Sequence, residues 1–543
     1  MPAEGQRPAA TPRVAVVGSG AAAMACAVAL VDKGADVTVF DGGEQLEPER
    51  RATMARMAAV RPAQWSANDL GILRGNLKAD SRGIPKKLAF GSDYPFRDPH
   101  GLMRVEYDRT DLLYSLAQGG LTTMWGGNIF PWRKSDFAGW PLQLAELEPH
   151  YKAVLGFMPL AAVEDDLAAD YPLYHPRPGQ LQTSRQGQEL LSDLEHGRTS
   201  LRKAGITFGR ARLAVRTARP GNELSGCIYC GQCLYGCPYG HIYSAADTLR
   251  ELTARKAIQY RTGWYVEKFE DKGGSVLLQC KQAATQQREE LAFDRVFIGA
   301  GVVPTARLVL HSLGAHETPV YLKDTQYFIV PFLRFKGTPG VRTEELYSLS
   351  QVVLEIDDPG LSRHGVQVQF YSYANIFEQV MTGMSPFLAR RAPGLIDALL
   401  SRLLIIQGYL HSAESGELAV TLHRTGTDGT EALRISPKPN PNTKRILHTT
   451  MRKLLRHAKT LGGVVAWPKL EIAPIGKSYH CGGSFPMTSA PGALQTDRLG
   501  RPGGTGRVHI VDASVLPDVA ETTLTFTAMA NAHRIGCEAA LLP

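Results

Sequence analysis

The chain has 543 residues, 44% of them hydrophobic and 21% charged, with a formal net charge of +8. That length exceeds one hydrophobic core and predicts two or more units. The basic excess is scattered in pairs such as Arg50-Arg51 and Arg390-Arg391, which argues against a nucleic-acid partner.

The first element carries the strongest signal. Residues 14–41, VAVVGSGAAAMACAVALVDKGADVTVFD, read as a strand, a glycine turn, a helix of small residues and a second strand ending on Asp41. Gly18, Ser19 and Gly20 leave the backbone bare where a pyrophosphate meets a helix N-terminus, whose free N–H groups and dipole favour negative charge. Ala22 and Ala23 are small, as close helix–strand packing requires. Asp41 stands about 20 residues on, where a carboxylate takes a ribose hydroxyl. A dinucleotide site is expected, the alternative being a bare structural turn. Before this unit, MPAEGQRPAATP lacks an apolar signal core and reads as a disordered tail over residues 1–12.

Residues 80–104 are rich in Pro, Gly and Asp and read as loop. Residues 119–132, GGLTTMWGGNIFPW, place four glycines around Thr122, Thr123 and Trp125. They fit a backbone pressed on a planar ligand, with the two hydroxyls as donors, or an ordinary glycine-rich turn. Residues 142–217 read as helical. A cysteine run follows, then a helix from about Ser244 and a strand pair, 259–269 and 275–282. Residues 295–301, RVFIGAG, form a second strand-to-helix unit with Ala300 and Gly301 at its edge. From 322 to 474 alternating runs predict an antiparallel sheet, a separate substrate-facing unit, with 395–410 as a buried helix running into a strand. No apolar run is long enough for an integral membrane segment, so the expected setting is soluble and cytoplasmic.

The run Cys227-x2-Cys230-x2-Cys233-x3-Cys237-Pro238 holds four of the eight cysteines; the rest are scattered, unlike a secreted disulfide framework. Its spacing matches the ligand run of bacterial ferredoxins. A loop of reduced thiols and a zinc site are the alternatives, zinc fitting less well because it usually takes ligand pairs separated by a longer spacer.

The fingerprint GSGAAA, the loop GGLTTMWGG, VFIGAG before a helix, and SYHCGGSFPM followed by GRVHIVDASVLPDVAETTLTFTAMA resemble the glucose–methanol–choline (GMC) oxidoreductases. The resemblance implies an α/β fold: a Rossmann-like FAD-binding domain over 13–321 and 475–543, with an inserted α+β substrate domain at 322–474 carrying an antiparallel sheet. It implies FAD held by Gly18, Ser19, Gly20, Ala22, Ala23, Asp41, the loop Gly120, Thr122, Thr123, Met124, Trp125, Gly126, Gly127 and Asn128, and by Val266, Ala300, Gly301, Asp512, Ala513, Thr522 and Thr523. Met124 stands where some relatives carry a flavin-linking His, so the FAD is expected to be non-covalent. A final helix starting near Thr522 would aim its positive end at the flavin.

The resemblance further implies oxidation of a small-molecule alcohol by hydride transfer to the flavin, with oxygen or a redox partner as electron acceptor. His480 takes the general-base position, and a neutral imidazole suits that role. The second catalytic position, usually His or Asn in the family, is Glu521 here, able to accept a proton, orient a hydroxyl or bind a substrate amino group. Similarity to cluster-bearing sugar dehydrogenases implies a 4Fe-4S or 3Fe-4S cluster on Cys227, Cys230, Cys233 and Cys237. The expected substrate is a sugar, aminosugar or nucleoside in a bacterial biosynthetic pathway. A sterol or long-chain alcohol oxidase and a flavin-binding electron-transfer subunit are the alternatives.

Overall fold

A computed structural model describes residues 11–76, 88–384, 391–425, 429–540 and 542. Residues 1–10 of the expected tail and 80–87 of the expected loop lie outside the described residues. In chain order, the elements that build the site are β1 (Arg13–Val17), α1 (Ala21–Asp32), β2 (Asp36–Asp41), α2 (Leu144–Val154), β3 (Ile258–Thr262), β4 (Arg295–Ile298) and α3 (Val302–Ser312). They continue with β5 (Val352–Ile356), β6 (Val366–Tyr371), β7 (Leu403–Leu410), β8 (Val508–Ile510) and α4 (Thr525–Ala539).

The first sheet is parallel, in the order β8-β4-β1-β2-β3. Its inner strands are buried apolar runs such as VAVV and VFI, as a sheet covered on both faces requires. Close approach of helices sets the sequence of α1. A Cβ on Gly299 would lie 2.9 Å from that of Ala23, and one on Gly536 of α4 would lie 3.0 Å from Ala29 Cβ. Only small residues allow α1 to sit between the sheet and α4.

A second, larger sheet is antiparallel. Its central strands β5, β6 and β7 pair in order, flanked by Ile206–Arg210 beside β5 and by Tyr327–Arg334 beside β7. Val352, Leu354, Val366, Val368, Phe370, Leu404 and Ile406 form one core with the helices Arg185–His196 and Asn442–Arg456. Cross-strand pairs share a face, so the opposite face carries Glu355, Gln367 and Tyr409 in one row, and Gln369 and Gln407 in the next. That face is a buried polar layer, in which Gln369 Nε2 donates to Gln367 Oε1 at 3.0 Å.

Three sequence expectations change. The stretch 259–269 is two strands: β3 in the parallel sheet and Trp264–Asp271 in a separate three-stranded antiparallel sheet, separated by Gly263 at φ +72°. Residues 142–217 are only partly helical and supply the strand Ile206–Arg210 to the large sheet. The last helix begins at Thr525, three residues later than read, because Glu521, Thr522 and Thr523 make contacts with Arg133, Gln367 and Trp132 instead. The helix-to-strand reading of 395–410 holds, as Pro393–Leu400 followed by β7.

Gly18 has φ +100°, and a Cβ there would stand 2.5 Å from the Gly299 carbonyl oxygen. Gly18→Ala is therefore expected to destabilise the fold by more than about 1 kcal/mol, read as a lower urea midpoint with unchanged slope.

Candidate active site

The glycine fingerprint leaves α1 open at its N-terminus. Gly20 caps it without a side-chain hydrogen bond, its first turn has no acidic residue, and space lies open beside Gly20 and Gly301. The free N–H groups there form a seat for an anion. Asp41, at the end of β2, accepts from Ser19 Oγ (2.8 Å) and Tyr260 OH (3.0 Å). Burial pushes its carboxyl up to about 6, against those hydrogen bonds. Ser19 Oγ also accepts from the Gly119 N–H at 2.9 Å, which ties the glycine loop to the fingerprint.

The loop's two threonines have a different use from the one expected. Thr122 donates to the Gly119 carbonyl (2.6 Å) and accepts from the Ala245 N–H (2.9 Å), while Thr123 donates to the Gly120 carbonyl (2.9 Å). Their protons shape the loop and are not offered to a ligand. Trp125 is fixed by its indole N–H on the Tyr243 carbonyl (2.7 Å), and Met124 is packed in an apolar cluster with Tyr94 and Tyr235. Gly126 and Gly127 keep this backbone bare, and Asn128 follows. Both amide atoms of Asn128 are buried without a hydrogen-bond partner among the described residues. An orphaned amide beside two glycines fits the polar edge of a planar ring.

At the far side Asp512 accepts from the Gly301 N–H (2.9 Å) and Thr305 Oγ1 (2.6 Å), joining β8 to the start of α3. Burial pushes its carboxyl up. The Ala513 carbonyl accepts from the Gly483 N–H at 2.9 Å, which draws the segment 480–483 against it. Val266 is buried in the small antiparallel sheet. Thr523 accepts from the Phe130 N–H through Oγ1 (3.1 Å) and from the Trp132 indole through its carbonyl (3.2 Å), and Thr522 accepts from Gln367 Nε2 (2.8 Å).

His480 sits on a strained turn. Tyr479 beside it holds φ +57°, a left-handed conformation that costs a bulky residue energy and marks over-determined sites. Asp324 supplies that determination by accepting from Ser478 Oγ, from the Gly476 N–H (2.8 Å) and from Cys481 Sγ (3.5 Å). Burial pushes Asp324 up to about 6. The His480 ring stacks on Tyr409 at 4.9 Å and 19°. Tyr409 is the register partner of Gln367, which bonds Thr522. The two residues expected to be catalytic thus flank one cross-strand pair of the large sheet.

Glu521 is fully buried and bonded through Oε1 to Arg133, while its Oε2 has no hydrogen-bond partner among the described residues. Arg133 also faces Glu355 (3.6 Å) and Asp136 (3.6 Å). Burial pushes Glu521 up, but Arg133 and then His411 outweigh it and hold this carboxyl below the ordinary range. The other two bear the cost. Burial drives Glu355 up to about 8 against Arg133, and burial with the Glu521 charge drives Asp136 up to about 7. The residues that composition and motif reading missed are Arg133, Gln367, Gln369 and Tyr409. The alternation VQVQFY in β6 was the available signal.

The four clustered cysteines line one cavity with Val215, His241, Ile242 and Tyr347. None is in a disulfide. Burial raises every thiol, Cys227 to about 11 and Cys230 to about 12, with their mutual repulsion adding to it. Backbone N–H groups point at the sulfurs, His241 donating to Cys237 Sγ at 3.4 Å. Among the described residues no three of these sulfurs lie within 4.8 Å of one another. Thiolates on a single zinc ion, at Zn–S of about 2.3 Å, would stand roughly 3.8 Å apart. The cavity adjoins the glycine loop, because Asn128 bridges Leu213 and Val215 bridges Ile242.

A family model described as FAD binding domain matches residues 13–69. No curated protein matches the chain. The fold is similar to that of pyridoxine 4-oxidase from Mesorbium loti, with a TM-score of 0.58 and 14% identity over 97% of this chain and 99% of that one. The chain therefore has a mixed α/β fold whose N-terminal unit is of the FAD-binding type.

Both Glu355 and Asp136 hold their protons more tightly in the folded chain than in an unfolded one, so their ionisation opposes folding. Relative to E355Q, the wild type is expected to lose unfolding free energy as pH rises from about 4 to about 8. Urea unfolding of both proteins across that range checks the sign.

Proposed function

We propose that the chain is a GMC-type FAD-dependent oxidoreductase acting on the CH–OH group of a polar, hydroxyl-bearing small molecule. The observation that carries this reading is His480 stacked on Tyr409, whose register partner Gln367 bonds Thr522 next to Glu521, together with the orphaned amide of Asn128 in the glycine loop. FAD fits the chain's own groups: the uncapped N-terminus of α1, the bare glycines, Asp41 and Asn128 would hold it without a covalent bond. Bound there, it supplies the hydride acceptor.

His480 takes the proton of the substrate hydroxyl as the C–H bond breaks, and the fixed turn and the Tyr409 ring hold the imidazole in one orientation. Glu521 Oε2 accepts a hydrogen bond from the substrate and orients it, while Arg133 keeps that carboxylate ionised. Gln367 and Gln369, buried and bonded to Thr522 and to each other, make the opposite wall a polar one, with Gln407 beside them in register. That polar wall favours a sugar, aminosugar or nucleoside over a sterol or long-chain alcohol. Cys227, Cys230, Cys233 and Cys237 would hold a 4Fe-4S or 3Fe-4S cluster, which supplies one-electron chemistry. The ferredoxin-type spacing of the four cysteines, their shared cavity and the N–H groups aimed at the sulfurs support a cluster over zinc.

Two experiments test this reading. Anaerobic mixing with a panel of hydroxyl-bearing compounds is expected to bleach the flavin, with H480N slowing that step 10²–10⁴-fold (a rough range for losing a general base) at unchanged flavin content. Wild-type bleaching rates in H480N contradict the base assignment. Protein purified without oxygen is expected to contain both iron and acid-labile sulfide, in the ratio of a 4Fe-4S or a 3Fe-4S cluster, and C233S to lose both. Iron-free protein contradicts the cluster.

A further inference from the structure

Away from the candidate active site, three ligand-bearing side chains meet between α2 and α4. His533 and Cys537 are four residues apart on α4, so they share one face of that helix. His150, on α2, approaches them from the neighbouring helix. His150 Nδ1 lies 2.9 Å from His533 Nδ1, and Cys537 Sγ lies 3.6 Å from His533 Nδ1. All three ligand atoms lie within 4.8 Å of one another.

The two separations that His533 makes are close to those of a coordination sphere, and His150 need only close on Cys537 from within 4.8 Å. With Zn–N of about 2.0–2.1 Å and Zn–S of about 2.3 Å, a tetrahedral ion sets N and S ligands roughly 3.6 Å apart and two N ligands roughly 3.3 Å apart. The nitrogen-to-sulfur distance already matches, and the two imidazoles need open by only a few tenths of an ångström. We propose that His150, His533 and Cys537 form a zinc-binding site that joins α2 to α4, with water in the fourth position.

The two imidazoles suit a metal, whereas burial raises the Cys537 thiol, whose proton the ion itself must displace. Burial keeps both rings neutral, His150 being pushed down to about 4 by burial and then by His533 and Arg534, and His533 being lowered by burial. Neutral imidazoles offer lone pairs with no proton to expel. In the metal-free pair one ring must donate its Nδ1 proton to the other, so zinc binding moves that proton to Nε2 of the same ring. The Cys537 thiol is the one group that gives up a proton to solvent, as its sulfur becomes the thiolate ligand. His533 is buried while His150 and Cys537 are half-buried, which leaves a way in for the ion. A comparable triad, His311, His316 and Glu431, has both carboxylate oxygens already bonded to the two imidazoles and Arg307 at 3.7 Å, which leaves its one anionic donor occupied. Cys537 lies 15 residues past Thr522, roughly 23 Å along the chain at helical rise, so the ion would brace the last helix and take no part in the reaction.

The test compares full-length wild type with H150N, C537S and E431Q after chelator treatment and dialysis against Zn²⁺. Zinc on the clustered cysteines contributes equally to all four and drops out of the comparison. Wild type and E431Q are expected to retain one more zinc per chain than H150N and C537S, and added Zn²⁺ to raise the thermal midpoint of only the first two. Equal zinc contents and shifts in all four, or loss of that zinc in E431Q instead, overturn the proposal. Should H150N prove too unstable to purify, the C537S comparison alone decides it.

Discussion

One guanidinium is shared by three buried carboxylates. Arg133 bonds Glu521, just ahead of α4, and faces Glu355 on β5 of the large sheet and Asp136 on its own turn. The parallel sheet with its helices and the antiparallel sheet have separate apolar cores, and they are joined by a small apolar cluster around Phe130, Tyr171 and Val353 and by polar contacts such as this one. Removing one partner from such a cluster strands a buried charge, which costs about 3–5 kcal/mol, whereas the intact cluster adds little net stability. Its value is geometric: it fixes which carboxylate is ionised and where Glu521 points.

The same economy appears around His480. A left-handed Tyr479, the buried Asp324 that holds the turn, and the ring of Tyr409 leave the imidazole little freedom. Strain of this kind persists only where neighbouring contacts over-determine the backbone. The glycine loop is treated likewise, since Thr122 and Thr123 spend their hydroxyls on its own carbonyls and leave Asn128 unpartnered. Rigid walls around unsatisfied amides are what a polar ligand requires.

Much of this was legible in the amino-acid sequence, and the reasons are local. The β1–α1–β2 unit declares itself because its glycines and alanines fall within one short strand–turn–helix–strand stretch, although the close contacts that demand them come from Gly299 and Gly536, far along the chain. The register of β6 could be read as alternation, but its meaning could not, because VQVQFY shows a polar face without showing what lies across from it. Arg133 carried no signal, since two of its three buried partners, Glu355 and Glu521, lie more than 200 residues away in the chain. The division of 259–269 into two strands turned on one glycine in a left-handed conformation, which composition does not distinguish from a flexible one. The spacing of Cys227–Cys237 predicted that the thiols converge, and they do line one cavity.

The central claim is that this fold holds FAD without a covalent bond, and the visible spectrum of the purified protein tests it most directly, followed by acid precipitation and identification of what is released. The account predicts flavin absorption in the native protein and equimolar FAD in the supernatant. Protein without flavin, or flavin that stays with the precipitated chain, would contradict it.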